Sequence, residues 1–242
     1  EAYIEGVFTT WYKFLPRKDV DTPFPPKAML TLDESQLPTE EESKEVLSRG
    51  YMHALGHVGW ATKCHLPILY GYSQCAKVMS RPSERAWECV MWMIKWLHQN
   101  KHEGSRWSSN GNVLPYGMSD ASNVGDPRDS RVQYGYHTVL ADGPVDAGSS
   151  KQRDVGGGTA TVEYQSFRDA CSALVWIRQT LTDLGFADWV QQPSQLFGDN
   201  EAANSWAAHG TMSKVSKLNQ HIKRDYHMVR EMVSDAQGAI YK

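Results

Sequence analysis

Along residues 84–97 the side chains of Trp87, Val90, Met91, Ile94 and Leu97 recur at steps of three and four. That spacing predicts a helix with one buried face, entered at Pro82. Trp92 and Trp96 fall off the stripe, so part of the opposite side is expected to be covered as well. Another helix is predicted from residue 51, with Leu55, Val58, Gly59, Ala61 and Thr62 on its packed side and a stop near Pro67; a third covers 68–79. Thr39 and Glu42 have the spacing of a capping box at the head of a further helix. Residues 1–22 hold Tyr3, Val7, Phe8, Trp11, Tyr12, Phe14 and Leu15. They read as an aromatic arm with a helical turn or two, ended by Pro16, that packs on the body of the chain or on a partner. Thr22-Pro23-Phe24-Pro25-Pro26 is a stiff, extended linker.

The pattern changes after residue 111. Polar, glycine-bearing residues 99–111 mark a domain boundary, which divides the chain into an arm (1–22), a helical segment (23–110) and a second domain (111–242). Strands are predicted over 113–120, 131–140 and 143–152, the second with Val132, Tyr134, Tyr136, Thr138 and Leu140 on one face. Gly156-Gly157-Gly158 lacks the strand, lysine and helix of a phosphate loop and reads as a linker. Tyr164, Phe167, Cys171, Leu174, Ile177 (or its neighbour Trp176) and Leu181 mark a long amphipathic helix that stops near Gly185. A strand at 196–199, a helix at 201–208, a strand at 215–222 and a closing helix at 226–235 complete a mixed α/β layer fold.

Composition narrows the classes. With 242 residues, 40% of them hydrophobic, the chain is long enough for one or two domains with proper cores. The net charge of −3 argues against a general polyanion binder, because nucleic-acid affinity rests largely on Lys and Arg, and leaves room for a local basic groove. Lys214, Lys217, Lys223, Arg224 and Arg230 give the C-terminal end such positive charge. Cys64, Cys75, Cys89 and Cys171 show no metal-type pairing and read as reduced core thiols. No apolar run reaches the length of a membrane span, so a soluble chain is expected. The first residue is Glu1 rather than Met, which suits a processed product or a piece of something longer.

The chemistry centres on Gly117-Met118-Ser119-Asp120-Ala121-Ser122, where a strand runs out into the turn formers Asn123, Gly125, Asp126 and Pro127. Glu163 opens the long helix and Asp199 ends a short strand. Carboxylates delivered by two strand ends and a helix start suit hard divalent cations such as magnesium, which takes a few carboxylate oxygens and keeps several waters. Taken singly, each acid is more readily a turn or cap residue than a ligand. His53 and His57 stand at i and i+4, a spacing that can ligate a metal, but no third ligand accompanies them, so a packed helix face is expected. His209 and His221 read as caps or packed side chains.

Taken in order, these stretches resemble the end of a Ty1/copia-type retroelement polyprotein: the tail of its reverse transcriptase and its ribonuclease H domain. Residues 22–97 carry pieces similar to the segment that joins polymerase to nuclease, among them Tyr51-Met52-His53-Ala54-Leu55-Gly56 and Ala86-Trp87-Glu88-Cys89-Val90. Ser119-Asp120-Ala121, Ser150-Lys151-Gln152, Val162-Glu163-Tyr164, Gly198-Asp199-Asn200 and His221-Ile222 resemble the nuclease. The resemblance implies a ribonuclease H-like mixed sheet flanked by helices, preceded by a mostly helical connection segment. It also implies that Asp120, Glu163 and Asp199 hold two magnesium ions, with Asp120 between them, and cut the RNA strand of an RNA–DNA hybrid recognised through its 2′-hydroxyls. By the same resemblance a loop histidine can serve product release.

The chain departs from the family at several points. Lys223 stands where the family carries a fourth acid, with Asp225 two residues on as its only nearby substitute. A lysine there would repel cations. The polymerase's paired-aspartate motif is absent, so no polymerase activity is expected. Two readings follow: a working ribonuclease H acting on hybrids, or the same fold kept without catalysis as a structural subunit that meets protein partners, residues 1–22 among the contact candidates.

Overall fold

The computed structural model describes residues 1–26, 28, 30, 37–125, 131–152, 159–199, 228–229 and 238–241. The chain divides into two compact units, Glu1–Ser105 and Arg106–Lys242.

The first unit is helical: α1 (Ala2–Trp11), α2 (Glu40–Ser48), α3 (Tyr51–Ala61), α4 (Leu69–Lys77) and α5 (Glu84–Gln99). The central helix is α5. Ser83 caps it by accepting from the Ala86 N–H, and the expected stripe of Trp87, Val90, Met91, Ile94 and Leu97 is buried. Trp96 is buried too, and Trp92 is partly covered, its Nε1–H donating to the Thr22 carbonyl at 2.8 Å. Only half of the capping box forms. Thr39 accepts from the Glu42 N–H, but the Glu42 carboxylate accepts from the Glu84 N–H at 2.9 Å and so helps to cap α5.

The arm is a ten-residue helix rather than one or two turns, and it packs on its own unit. Ile4, Val7 and Trp11 are buried in the helical core. Glu5 forms an ion pair with Lys101 and lies 3.3 Å from His98 Nε2, contacts that tie α1 to the end of α5. Gly50 precedes α3 with φ of 99°, and a Cβ there would come within 2.9 Å of the Trp11 ring. Only glycine meets both demands at low cost.

In the second unit the described strands are β1 (Tyr116–Gly125), β2 (Val132–Leu140), β3 (Gly143–Lys151), β4 (Ser194–Phe197) and β5 (Gly238–Tyr241), in the order β3-β2-β1-β4-β5. The first three form an antiparallel meander, while β4 runs parallel to β1 and β5 parallel to β4. Ala141 and Asp142, both with positive φ (53° and 62°), turn β2 into β3.

Helix α6 (Thr159–Asp183) packs on β1 and β2. Tyr164, Phe167, Cys171, Leu174, Ile177 and Leu181 are buried as the spacing predicts. Trp176, the alternative to Ile177, faces solvent at 61% exposure. Leu174 and Leu196 lie close over Gly117, and with Phe167, Tyr164 and Val229 they form the core between helix and sheet. This is an α/β fold with a ribonuclease H-like sheet flanked by helices.

The expected helix at 201–208 and strand at 215–222 lie outside the described residues. Of the closing helix at 226–235, Met228 and Val229 are described and are helical. The strand that pairs with β4 is Gly238–Tyr241, which the sequence reading did not anticipate. Among the described residues no helix is long and apolar enough to cross a membrane.

Candidate metal centre

Strand pairing fixes the first two carboxylates. Gly117 pairs with Leu196 and Met118 with Phe197 in parallel register. Asp120 and Asp199 each stand two residues beyond that last pair, so they emerge side by side where β4 has ended and β1 continues. Both are exposed. Glu163 comes from the first turns of α6, held down by Val162, Tyr164 and Phe167, and is only 3% exposed. The geometry places ligand oxygens of Asp120, Glu163 and Asp199 all within 4.8 Å of one another.

Such an arrangement is unfavourable by itself. Burial, the Asp199 charge and the Asp120 charge push the Glu163 carboxyl up to about 7, against an opposing hydrogen bond from the Ala121 N–H. The Glu163 Oε2 is buried and has no hydrogen-bond partner. A buried carboxyl with an unpaired oxygen, beside two further carboxylates, is what a divalent cation satisfies, and an all-oxygen donor set suits magnesium or a similar hard ion. The residues fit the ion they were expected to hold.

The chain resembles two curated proteins of Arabidopsis thaliana. It is 26% identical over 220 residues to the retrovirus-related Pol polyprotein from transposon RE2, and 25% identical over 216 residues to that from transposon RE1. The matches cover 90% and 89% of this chain and 14% of each polyprotein. The chain is a relative of retroelement Pol polyproteins. It spans about one seventh of their length, and no protein-family model matches it.

In this Pol relative the other candidate ligands do not gather. Trp11 Nε1–H donates to Nδ1 of His57 at 3.1 Å, which leaves the ring proton of a neutral His57 on Nε2 and no ring lone pair free for a metal. Burial, with His53 adding to it, lowers the His57 pKa and keeps the ring neutral. The pair is a packed helix face. Among the described residues the three carboxylates are the sole such group of three or more His, Cys, Asp or Glu side chains. Cys75, Cys89 and Cys171 are buried free thiols, whereas Cys64 is exposed and does not belong to the core. Burial raises Cys89 to about 11 and Cys171 to about 12. His209, His221, Lys223, Asp225 and the basic residues around them lie outside the described residues.

Sequence reasoning missed one part of the site: the Ala121 amide that holds Glu163 is backbone and leaves no mark in side-chain patterns.

Proposed function

We propose that the second unit is a retroelement-derived ribonuclease H that hydrolyses the RNA strand of RNA–DNA hybrids. The observation that carries this reading is the convergence of Asp120, Glu163 and Asp199 within 4.8 Å on a ribonuclease H-like sheet. Relatedness to Pol polyproteins supports it. Asp120, Glu163 and Asp199 would hold two magnesium ions. When bound, such a pair supplies an activated water and stabilises the leaving oxygen of a phosphodiester. Glu163 is the fixed member, buried and oriented by the Ala121 amide, with one carboxylate oxygen within 4.8 Å of those of Asp120 and Asp199. Asp120 and Asp199 are exposed and leave the cage open to a phosphate.

The topology also places positive charge at this end of the sheet. Beyond Asp120, β1 runs on to Gly125; on that side β2 begins just after Arg131, and β3 ends at Lys151, which pairs with Gln133. Arg131 and Lys151 are suited to contact the hybrid backbone, with the duplex type read through 2′-hydroxyls.

The test is a substrate panel: one labelled RNA as hybrid with DNA, as single strand and as RNA duplex, beside the matching DNA duplex. Magnesium-dependent cleavage confined to the hybrid is expected. A folded chain that leaves the hybrid intact would instead favour the structural-subunit reading, to which Lys223 at the family's fourth acidic position already points. In that case the exposed Tyr3, Tyr12 and Phe14 of the N-terminal arm are the side chains offered to a protein partner.

A further inference from the structure

We propose that the Tyr134–Asp169 hydrogen bond is a positioning device: it sets the placement of α6 on the sheet and thereby holds Glu163 within reach of Asp120 and Asp199. The inference rests on the metal-centre reading above.

Tyr134 lies in β2 directly across from Ala121 and is 6% exposed. Its ring packs in one small cluster with Ala121 and Val162. Ala121 supplies the amide that binds Glu163, and Val162 is the residue before Glu163. Tyr134 therefore belongs to the apolar cluster that flanks the buried carboxylate from both the strand and the helix. Its hydroxyl then reaches along α6 and donates to Asp169 Oδ2 at 2.8 Å. The other oxygen of Asp169 is engaged as well: Oδ1 accepts from Arg168 Nε at 2.9 Å and Nη2 at 2.6 Å. Asp169 is held from two sides, so the acceptor does not wander.

Asp169 stands six residues beyond Glu163, about 9 Å along the helix axis. Apolar contact between α6 and the sheet is non-directional and tolerates small slides and rolls of the helix. A short hydrogen bond to an ionised acceptor is directional and stronger than a neutral one, so it fixes one position. Carboxylates that share a metal must be held to about half an ångström, which packing alone does not guarantee. Phenylalanine would fill the space of Tyr134 equally well. The hydroxyl adds the register of helix on strand.

The experiment compares the full chain with Tyr134→Phe, Asp169→Ala and Asp169→Asn. In the Asn variant the amide oxygen still accepts from Tyr134. Two readouts are taken: hydrogen exchange of the Ala121 amide in chelator, and manganese affinity by calorimetry. Exchange of the Phe167 amide, deep in α6, monitors global opening. Tyr134→Phe and Asp169→Ala are expected to speed Ala121 exchange and weaken manganese binding, each about tenfold, as for lost outer-shell partners of metal ligands. Phe167 protection should change much less. Asp169→Asn should stay within about threefold of the parent on both readouts, since it keeps a neutral hydrogen bond.

Parental behaviour of Tyr134→Phe on both readouts overturns the proposal. So does a loss at Ala121 matched by an equal loss at Phe167, because the bond would then contribute only general stability. A parent chain that takes up no manganese contradicts the metal-centre reading, while amide exchange still decides the positioning role.

Discussion

Glu163→Gln should make the metal-free second unit more stable at pH 8, although it removes a charged residue from the heart of the site. Glutamine has nearly the same shape and keeps an oxygen for the Ala121 amide. The Glu163 carboxyl is raised from an ordinary value of 4.5 to about 7 by burial and by Asp199 and Asp120. A carboxyl raised in the folded state contributes fully below its unfolded value and loses that contribution as pH climbs through the folded one. The parent chain should therefore lose stability between about pH 4.5 and pH 7 and level off above. The shift corresponds to about 3 kcal/mol at pH 8. The assay is hydrogen exchange of buried α6 amides in chelator at pH 5 and pH 8, corrected for intrinsic rates. Glu163→Gln should be flat across this range and should exceed the parent at pH 8. Magnesium should then stabilise the parent and leave the variant unmoved. A parent whose stability does not fall from pH 5 to pH 8, or a variant no more stable at pH 8, would refute the reasoning.

Metal affinity of the parent should rise with pH through about 7, with proton release on binding, because the ion takes Glu163 ionised; calorimetry in buffers of different ionisation enthalpy checks this. Phe167→Ala, at a position with no exposed surface, should cost the second unit about 3–5 kcal/mol, read by denaturant unfolding. Ala141→Gly should stabilise that unit by about 1 kcal/mol, since alanine holds a φ of 53° that glycine adopts freely, and a rise in midpoint would show it.

Much of the fold was legible because its periodicities are strong. The stripe from Trp87 to Leu97 and that from Tyr164 to Leu181 are buried where spacing predicts, since each helix needs one apolar side facing a core. The three strands of the meander were legible as well, the second from its alternation, of which Tyr134 and Thr138 are buried while Val132, Tyr136 and Leu140 are only partly covered. The arm was read too short. Its helix lacks a side-chain cap, and its stability comes from contacts with α3 and α5 that no local pattern displays. β5 was missed because Gly238-Ala239-Ile240-Tyr241 carries almost no strand signal of its own and is a strand only through its pairing with β4.

The site divides along the same line. Asp199 follows a strand end and Glu163 stands near a helix start, so these two positions could be read; Asp120 was expected at a strand end, but β1 runs past it to Gly125, carried through the turn formers by its pairing with β2. Their convergence follows from the parallel pairing of β1 with β4, a long-range fact. The Glu42 carboxylate shows how a local rule is overridden: the capping-box spacing is present, and the side chain caps another helix.

The measurement that bears most directly on the central claim is cleavage of a labelled RNA–DNA hybrid by the purified chain in magnesium, with Asp120→Asn alongside. The account predicts cleavage of the RNA strand by the parent, lost on chelation and lost in Asp120→Asn while the fold is kept. An intact hybrid after incubation with a folded, magnesium-loaded parent, or equal cleavage by Asp120→Asn, would contradict it.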